Sequence, residues 1–512
     1  MTPRALGAPL AVAAWVAFGL LWPGHGADYV HLRTANLVLS LAAAAVVLAR
    51  GRGWLDGRHE QTVLAGLAAL CVLVYTNAFS FRLHYHELAH YYLGGKYFPE
   101  LSYGTLYTAL LRAEAEDHGT TQVAEARHLG GHAQMVPSAS LLARSQPIKD
   151  GFSPERWAEF RADAAFLRAR LGAHYPAVLR DHGFNPSPLW AAIGGPLARM
   201  VPAGSHHSLR LLAVLDPLLI AAAFATLWRA FGMRAALLGL VHFCLVYGAT
   251  FEWVGGAYLR YMWFAACAGA LAALHRGRAA LGGALLGFAA ALRIFPAAFF
   301  GALALGAAVR AVRSRALSRP AAWTALGFAG GAAVLVGSTL LTPPGPAAWA
   351  DFADNISRIA RAPMANRIGL GSAASTLLIA GGLATDAARL DTIVRALQLV
   401  GAAAAAVIVA RAGAGRGPAR AAALGALLVF AALDLTAYYY VFLALLTVVA
   451  HTRTAFVAAA FAAEAASYAL ALAEGSTAVL YAHRSVLVLL LLLLFAWERP
   501  PRSEAAPREA AR

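Results

Sequence analysis

The chain predicts an all-α fold: a polytopic transmembrane helix bundle of about 12–14 spans with a large extracytoplasmic loop of surface helices. Three observations carry that expectation. Hydrophobic residues make up 60% of the 512 and charged ones only 13%, with a mean hydropathy of +0.60. That is more apolar surface than one or two soluble domains can bury. Charge-free windows of about 20 residues recur, the length a helix needs to cross a hydrocarbon core of about 30 Å. Finally, a single long polar stretch, residues 81–208, interrupts these runs.

In chain order, spans are expected at 5–22, 35–49 and 62–80, and after the polar stretch at 209–228, 235–250 and 258–274. A hairpin over 280–309 and a span at 321–342 follow, then a span at 391–410, a hairpin over 420–450, and spans at 455–473 and 477–497. The segments are then 1–80, N-terminal spans; 81–208, the loop with the candidate site; and 209–342, a central bundle. After them come 343–390, a second extracytoplasmic loop with a partial helix at 371–383; 391–498, a C-terminal bundle; and 499–512, a cytoplasmic tail. The apolar run from Arg4 to Trp22 resembles a signal peptide, but it is long and a second span follows at once, so an uncleaved helix is expected.

Arginines orient the bundle. The chain carries 42 Lys and Arg against 26 Asp and Glu, a net charge of +16. Most of the arginines fall in short loops, such as Arg50 to Arg58, Arg229 to Arg234, Arg310 to Arg319 and Arg411 to Arg420, as the positive-inside rule requires. Both termini are therefore expected in the cytoplasm, and residues 81–208 and 343–370 on the far side of a cell inner membrane. Only Lys96 and Lys149 are lysines, and nucleic acid is not an expected partner; membrane lipids are. Cys71, Cys244 and Cys267 lie in apolar runs, where a thiol acts as a small hydrophobe, so neither a disulfide framework nor a cysteine zinc cluster is expected.

The large loop has helical periodicity of its own. Ser153 reads as an N-cap, Pro154 as the first helical position and Glu155 as an early acid. The second loop runs from Asp351 and Asp354 through Arg358 to Asn366 and Arg367, and two polar loops facing one another predict a cleft.

The chemistry is expected where the large loop begins, at Tyr85-His86-Glu87-Leu88-Ala89-His90-Tyr91-Tyr92. On a helix, His86 and His90 stand one turn apart on one face, the geometry that chelates zinc, with Glu87 available as general base. A third ligand would have to come from His132, Asp181 or His182, none of them in a confirming motif. The plainer reading makes His84, His86 and His90 interfacial polar residues, with Tyr91 and Tyr92 in an aromatic belt. Glu87 resists that reading, because an acid near a membrane exit is costly unless it is paired or used. There is no P-loop, no GxGxxG after a strand and no Asp-x-Asp pair, which argues against a soluble nucleotide-sugar donor.

Further motifs extend beyond this stretch. Glu87 is followed by Tyr91, Tyr92 and Gly94, and the loop returns to the membrane through Phe184-Asn185-Pro186-Ser187-Pro188-Leu189-Trp190. Later come Gly255-Gly256-Ala257-Tyr258-Leu259-Arg260-Tyr261, Leu292-Arg293-Ile294-Phe295-Pro296 and Asn366-Arg367-Ile368-Gly369-Leu370. With these, residues 62–450 resemble the GT-C superfamily of polytopic glycosyltransferases, and within it the polyprenyl-phosphate-sugar-dependent enzymes of glycosyltransferase family 87. The chain departs from that pattern in having Glu87 for the more usual Asp, Asn185 for an aromatic, and Arg293 where Lys is common.

The resemblance implies a hexosyltransferase that moves a sugar from a polyprenyl-phosphate donor to an extracytoplasmic glycan or lipid acceptor, with no metal and no cofactor. Glu87 would be the catalytic base, taking the acceptor hydroxyl's proton. Arg260, Arg293 and Arg358 would hold the departing phosphate, Arg293 standing out because it interrupts an apolar hairpin. His86, Tyr91, Tyr92, Lys96, Asp181, Asn185 and Asn366 complete the expected substrate-binding set. The rival reading is a transporter or other lipid-handling protein, whose glycine-broken helices would line a central site. The lesser alternative is a membrane zinc metalloprotease built on His86-Glu87-x-x-His90.

Overall fold

A computed structural model describes residues 29–77, 83–130, 133–202, 204–251, 255–340, 345–362, 364–383 and 386–497. The expected first span at 5–22, the tail from 499, Arg82 and His132 lie outside the described residues. The protein is 78% helical. Its described strands are two pairs of two or three residues each, Glu125–Arg127 with Met135–Pro137 and Arg367–Ile368 with Leu435–Thr436, both antiparallel.

The helices fall into two groups. The first is apolar: α1 (Tyr29–Gly51) and α2 (Gly57–Tyr75) precede the polar region. That region holds the second group, α3 (Tyr85–Lys96), α4 (Leu106–His118), α5 (Pro154–Leu171) and α6 (Pro188–Met200). Apolar helices then resume with α7 (Leu215–Phe231), α8 (Met233–Leu245), α9 (Met262–His275), α10 (Ala279–Leu292), α11 (Ala297–Ser314) and α12 (Arg319–Leu340). An amphipathic α13 (Pro346–Arg361) and the 11-residue α14 (Leu370–Ala380) lead to α15 (Ala387–Ala414). The chain ends in α16 (Pro418–Ala432), α17 (Ala437–Val449), α18 (Thr454–Ala473) and α19 (Thr477–Trp497).

Seven of the described helices are long and apolar enough to cross a membrane: α1, α7 together with the short helix His206–Ala213 before it, α11, α12, α15, α18 and α19. Apolar side chains such as Leu326 and Val334 on α12, and Leu399 and Val400 on α15, stay more than 60% exposed, as lipid-facing surfaces are.

Several expected spans are shorter than the sequence suggested. Helices α8, α9 and α10 have 13, 14 and 14 residues, about 20 Å each at 1.5 Å per residue. Gly248, Gly256 and Leu259 adopt φ of +83°, +74° and +55° in the turn between α8 and α9, so α8 ends early and α9 begins late, while Pro296 prevents α10 from running on into α11. Their longer neighbour α12 lies against α10 backbone to backbone. A Cβ on Gly283 would come within 2.0 Å of the Thr324 carbonyl oxygen, and one on Gly327 within 2.1 Å of that of Ala280. A recess lies at one end of the bundle, bordered by the break Arg293–Phe295 between α10 and α11, the segment Tyr247–Thr250 after α8 and the turn between α16 and α17.

The polar region caps that recess. Its helix α5 begins as its sequence predicts, with Ser153 Oγ accepting the Arg156 N–H at 3.2 Å and Pro154 in the first turn. Trp157, Phe160, Phe152 and Tyr97 form its aromatic core. Helix α3 lies across α6 at glycines, since a Cβ on Gly195 would stand 2.5 Å from the Gly95 carbonyl oxygen. The two polar stretches meet, with Asn355 of α13 donating to the Phe184 carbonyl at 3.3 Å and Ser102 donating to Asp351 at 2.7 Å.

Candidate active site

Helix α3 is fixed at its start before any functional group is considered. The His84 N–H donates to the Gly256 carbonyl at 3.1 Å, tying its start to the turn between α8 and α9. That turn is held in return by Trp190, whose Nε1 donates to the Leu259 carbonyl at 3.0 Å, and by Asp216, which accepts the Tyr261 N–H at 3.1 Å. Leu259 sits at φ +55°, uncommon for a side-chain-bearing residue, and the bend presents Arg260 to α3.

Arg260 is buried, and its Nη1 lies 2.8 Å from Glu87 Oε2. Its guanidinium also packs over the rings of Tyr91 and Tyr438, at 5.1 and 5.2 Å. Burial alone pushes the Glu87 carboxyl up. Arg260, with His84 and His90, outweighs that, so the group sits below the usual glutamate range and is ionised at neutral pH.

A cavity of about 1090 Å³ opens beside this pair, in the recess between the bundle and the polar region. Glu87, Tyr91, Asp181, Asn185, Arg293 and Asn366 all line it. Arg293 occupies the break between α10 and α11, donating to the Tyr91 hydroxyl at 2.6 Å and reaching the Asn185 carbonyl at 3.4 Å. Asn366 is held by the short strand pair beside it, its carbonyl accepting the Ala437 N–H at 2.9 Å.

His86 stands next to Asp181, its Nε2 2.8 Å from Asp181 Oδ2 and its Nδ1 3.2 Å from His174 Nε2. Burial pushes the Asp181 carboxyl up, but the hydrogen bond from His86 and the nearness of His90 hold it well below the ordinary aspartate range. His86, His90 and Asp181 bring their ligand atoms within 4.8 Å of one another, supplying the third ligand that the His-Glu-x-x-His pattern lacked in sequence. His182 also lines the cavity.

Five residues expected to bind substrate do not line the cavity: His86 and Arg260 stand behind Asp181 and Glu87, and three others lie elsewhere. Lys96 is fully enclosed and its Nζ sits 2.7 Å from both Asp163 and Glu159, a charge cluster inside the polar region. Tyr92, one turn earlier on the same face, accepts from Lys96 Nζ at 3.1 Å and donates to the Val201 carbonyl at 2.8 Å. Both are turned away from the cavity because residues four apart share a helix face, and the Tyr92–Lys96 face is not the Glu87–Tyr91 face. Arg358 pairs with Asp354 at 3.0 Å along α13 and does not line the cavity.

Other residues at the cavity were not anticipated. Tyr438 and Tyr439 form part of its wall, Tyr439 lying under the Arg293 guanidinium at 5.7 Å. The run Tyr438-Tyr439-Tyr440 just after the expected hairpin turn was the available signal. Asp434 at that turn also lines the cavity, but its carboxylate is committed to the Ser372 N–H and the Gln398 amide, each at 2.7 Å.

No protein-family model, curated protein or solved structure matches this chain.

Proposed function

We propose that the protein transfers a sugar from a polyprenyl-phosphate carrier to an acceptor hydroxyl bound in this cavity, with Glu87 as general base. One observation carries the reading: an ionised carboxylate, Glu87, and a buried guanidinium, Arg293, share the wall of one large cavity at the recessed end of an apolar bundle. The acceptor oxygen attacks the anomeric carbon, and the bond from that carbon to the phosphate oxygen breaks. The electron pair leaves on the polyprenyl phosphate, and the hydroxyl proton passes to Glu87. Arg293 faces the growing phosphate charge, and the tyrosines beneath it favour a sugar ring stacked on them. Arg260 keeps the base ionised.

In this reading the recess opens on the outer side of a cell inner membrane and both termini are cytoplasmic. The six shorter apolar helices join the seven long ones in a bundle of full and partial spans. A lipid tail would lie against the long helices while its phosphate reaches Arg293 below the membrane surface. Cysteines introduced at the exposed positions Ser140 and Ala350 should both react with an impermeant thiol reagent in intact cells. Reaction of only one of them before lysis would refute the shared outer face.

A second reading, metal-assisted hydrolysis, gains from the convergence of Asp181 with His86 and His90. Both readings use Glu87 as the proton acceptor beside Arg260, and they differ in what the cavity would bind: a lipid phosphate at Arg293, or a peptide beside an ion that would supply the attacking water. Incubating purified protein with radiolabelled polyprenyl-phosphate sugars and a membrane-glycan extract tests the choice. Label should move to an acceptor and depend on Glu87. Peptide cleavage without sugar transfer would replace the first reading by the second.

A further inference from the structure

We propose that His86, His90 and Asp181 bind one divalent transition-metal ion, of zinc-like ligand preference, on the wall of the cavity. This goes beyond the sugar-transfer reading and does not rest on it. The two histidines stand one turn apart on α3, so their rings face the same way. Asp181 comes from a separate segment, the turn after the short helix Tyr175–Leu179. All three ligand atoms lie within 4.8 Å of one another; a tetrahedral zinc needs them about 3.4 Å apart, so the 2.8 Å His86–Asp181 pair would open slightly to admit it.

The surroundings hold the three side chains as a metal site requires. Asp181 Oδ1 accepts the His182 N–H at 2.8 Å, which leaves Oδ2 pointing at the histidines. His174 lies 3.2 Å from His86 Nδ1, placed to fix the tautomer that frees Nε2. Tyr107 bonds His90 Nε2 at 2.8 Å and itself accepts the Gly183 N–H at 2.9 Å, so that ring is anchored through one nitrogen and Nδ1 is the one left for the ion. His90 and Asp181 also line the cavity, so three protein ligands would leave an open position facing inward. Two imidazoles and one carboxylate suit zinc, cobalt or manganese rather than calcium or magnesium. The open position would take water or an anionic oxygen such as phosphate.

The test uses the full chain purified in detergent, stripped by a chelator and reloaded with Zn²⁺ or Co²⁺. One equivalent should remain after desalting, and the cobalt form should show the visible bands of a low-coordinate site. His86→Gln and Asp181→Asn, both at partly exposed side chains, should each lower affinity by at least about 100-fold while melting stays near that of the parent. Asp181→Cys should keep the cobalt and add a thiolate-to-metal charge-transfer band. The proposal is overturned if the parent binds neither ion, or if both variants keep a full equivalent; either result would leave His86 and Asp181 as a simple hydrogen-bonded pair.

Discussion

Helix α3 carries two clusters of charge on different faces, and they behave as opposites. On one face, Lys96 is fully enclosed and its partner Asp163, tied also to the Tyr97 hydroxyl, has a side chain only 6% exposed, while Glu159 reaches the same ammonium from the surface and none of these groups borders the cavity. On the other, Glu87 keeps 19% of its side chain and Asp181 43% in contact with open space, and both border a large cavity. The residue types are nearly the same. A closed cluster with its charges matched can only hold helices together, whereas an open one retains the capacity to meet a ligand. Twelve residues of sequence thus contain a structural face and a candidate chemical face, and substitutions should separate them.

The largest separation is expected at Glu87. Glu87→Gln keeps size and hydrogen-bonding capacity but cannot accept a proton, so sugar transfer per folded molecule should fall by ~10²–10⁴-fold. The Arg260 guanidinium loses its counter-charge, so melting should be recorded alongside turnover. Near-parental turnover would remove Glu87 from the role of base. Lys96→Met should do the reverse. It leaves the enclosed Asp163 carboxylate without its ammonium partner, at a cost of about 3–5 kcal/mol, while the more exposed Glu159 keeps Arg156. Yield and melting temperature should drop, while transfer by the molecules that remain folded stays close to normal. Loss of turnover in Lys96→Met without loss of stability would break the comparison.

Arg293 comes next. It belongs to the open face by contact, since it donates to Tyr91, and it lies in a break between helices rather than in a matched ion pair. Arg293→Ala should weaken use of a polyprenyl-phosphate donor by about 10–100-fold, the worth of one charged hydrogen-bonding group. Arg293→Lys should recover part of this, because the charge survives while the two-pronged geometry does not. An unchanged donor KM in Arg293→Ala would take the phosphate elsewhere in the cavity.

How much of this was legible in the sequence differs by feature. Apolar windows and the Ser153 cap are local signals, and both the apolar bundle and helix α5 follow from them. The break at Arg293 and the nearness of the two polar stretches were also legible, through an interrupting charge and through composition. What sequence could not give was direction. A contiguous motif from Glu87 to Lys96 reads as one site, but a helix turns each residue by about 100°, so Tyr92 and Lys96 leave the cavity that Glu87 and Tyr91 face. Nor could it pair distant residues. Asp181 lies 95 positions after His86, and only the fold makes it a neighbour of both histidines. Helix length misled for a related reason: apolar runs at 235–250 and 258–274 are long enough to span, but a turn with positive φ at Gly248, Gly256 and Leu259 ends the first helix early and starts the second late.

The finest test lies in two adjacent tyrosines. Tyr91 and Tyr92 are both buried and differ by one step around the helix, so removing either hydroxyl changes the sequence in the same way. The Tyr92 hydroxyl bridges Lys96 and the Val201 carbonyl within the closed cluster. Tyr92→Phe leaves a buried carbonyl and an ammonium each short of one partner and should cost about 1–3 kcal/mol of stability, with turnover unchanged. The Tyr91 hydroxyl accepts from Arg293 at the cavity wall, where a guanidinium that loses one acceptor can turn to another group in the open space. Tyr91→Phe should therefore leave melting nearly unaltered and raise the donor KM only a few-fold, by allowing Arg293 to wander. If both variants lost stability equally and neither changed KM, the hydroxyl on the cavity side would be as structural as its neighbour, and the division of α3 into two faces would fail at its closest pair.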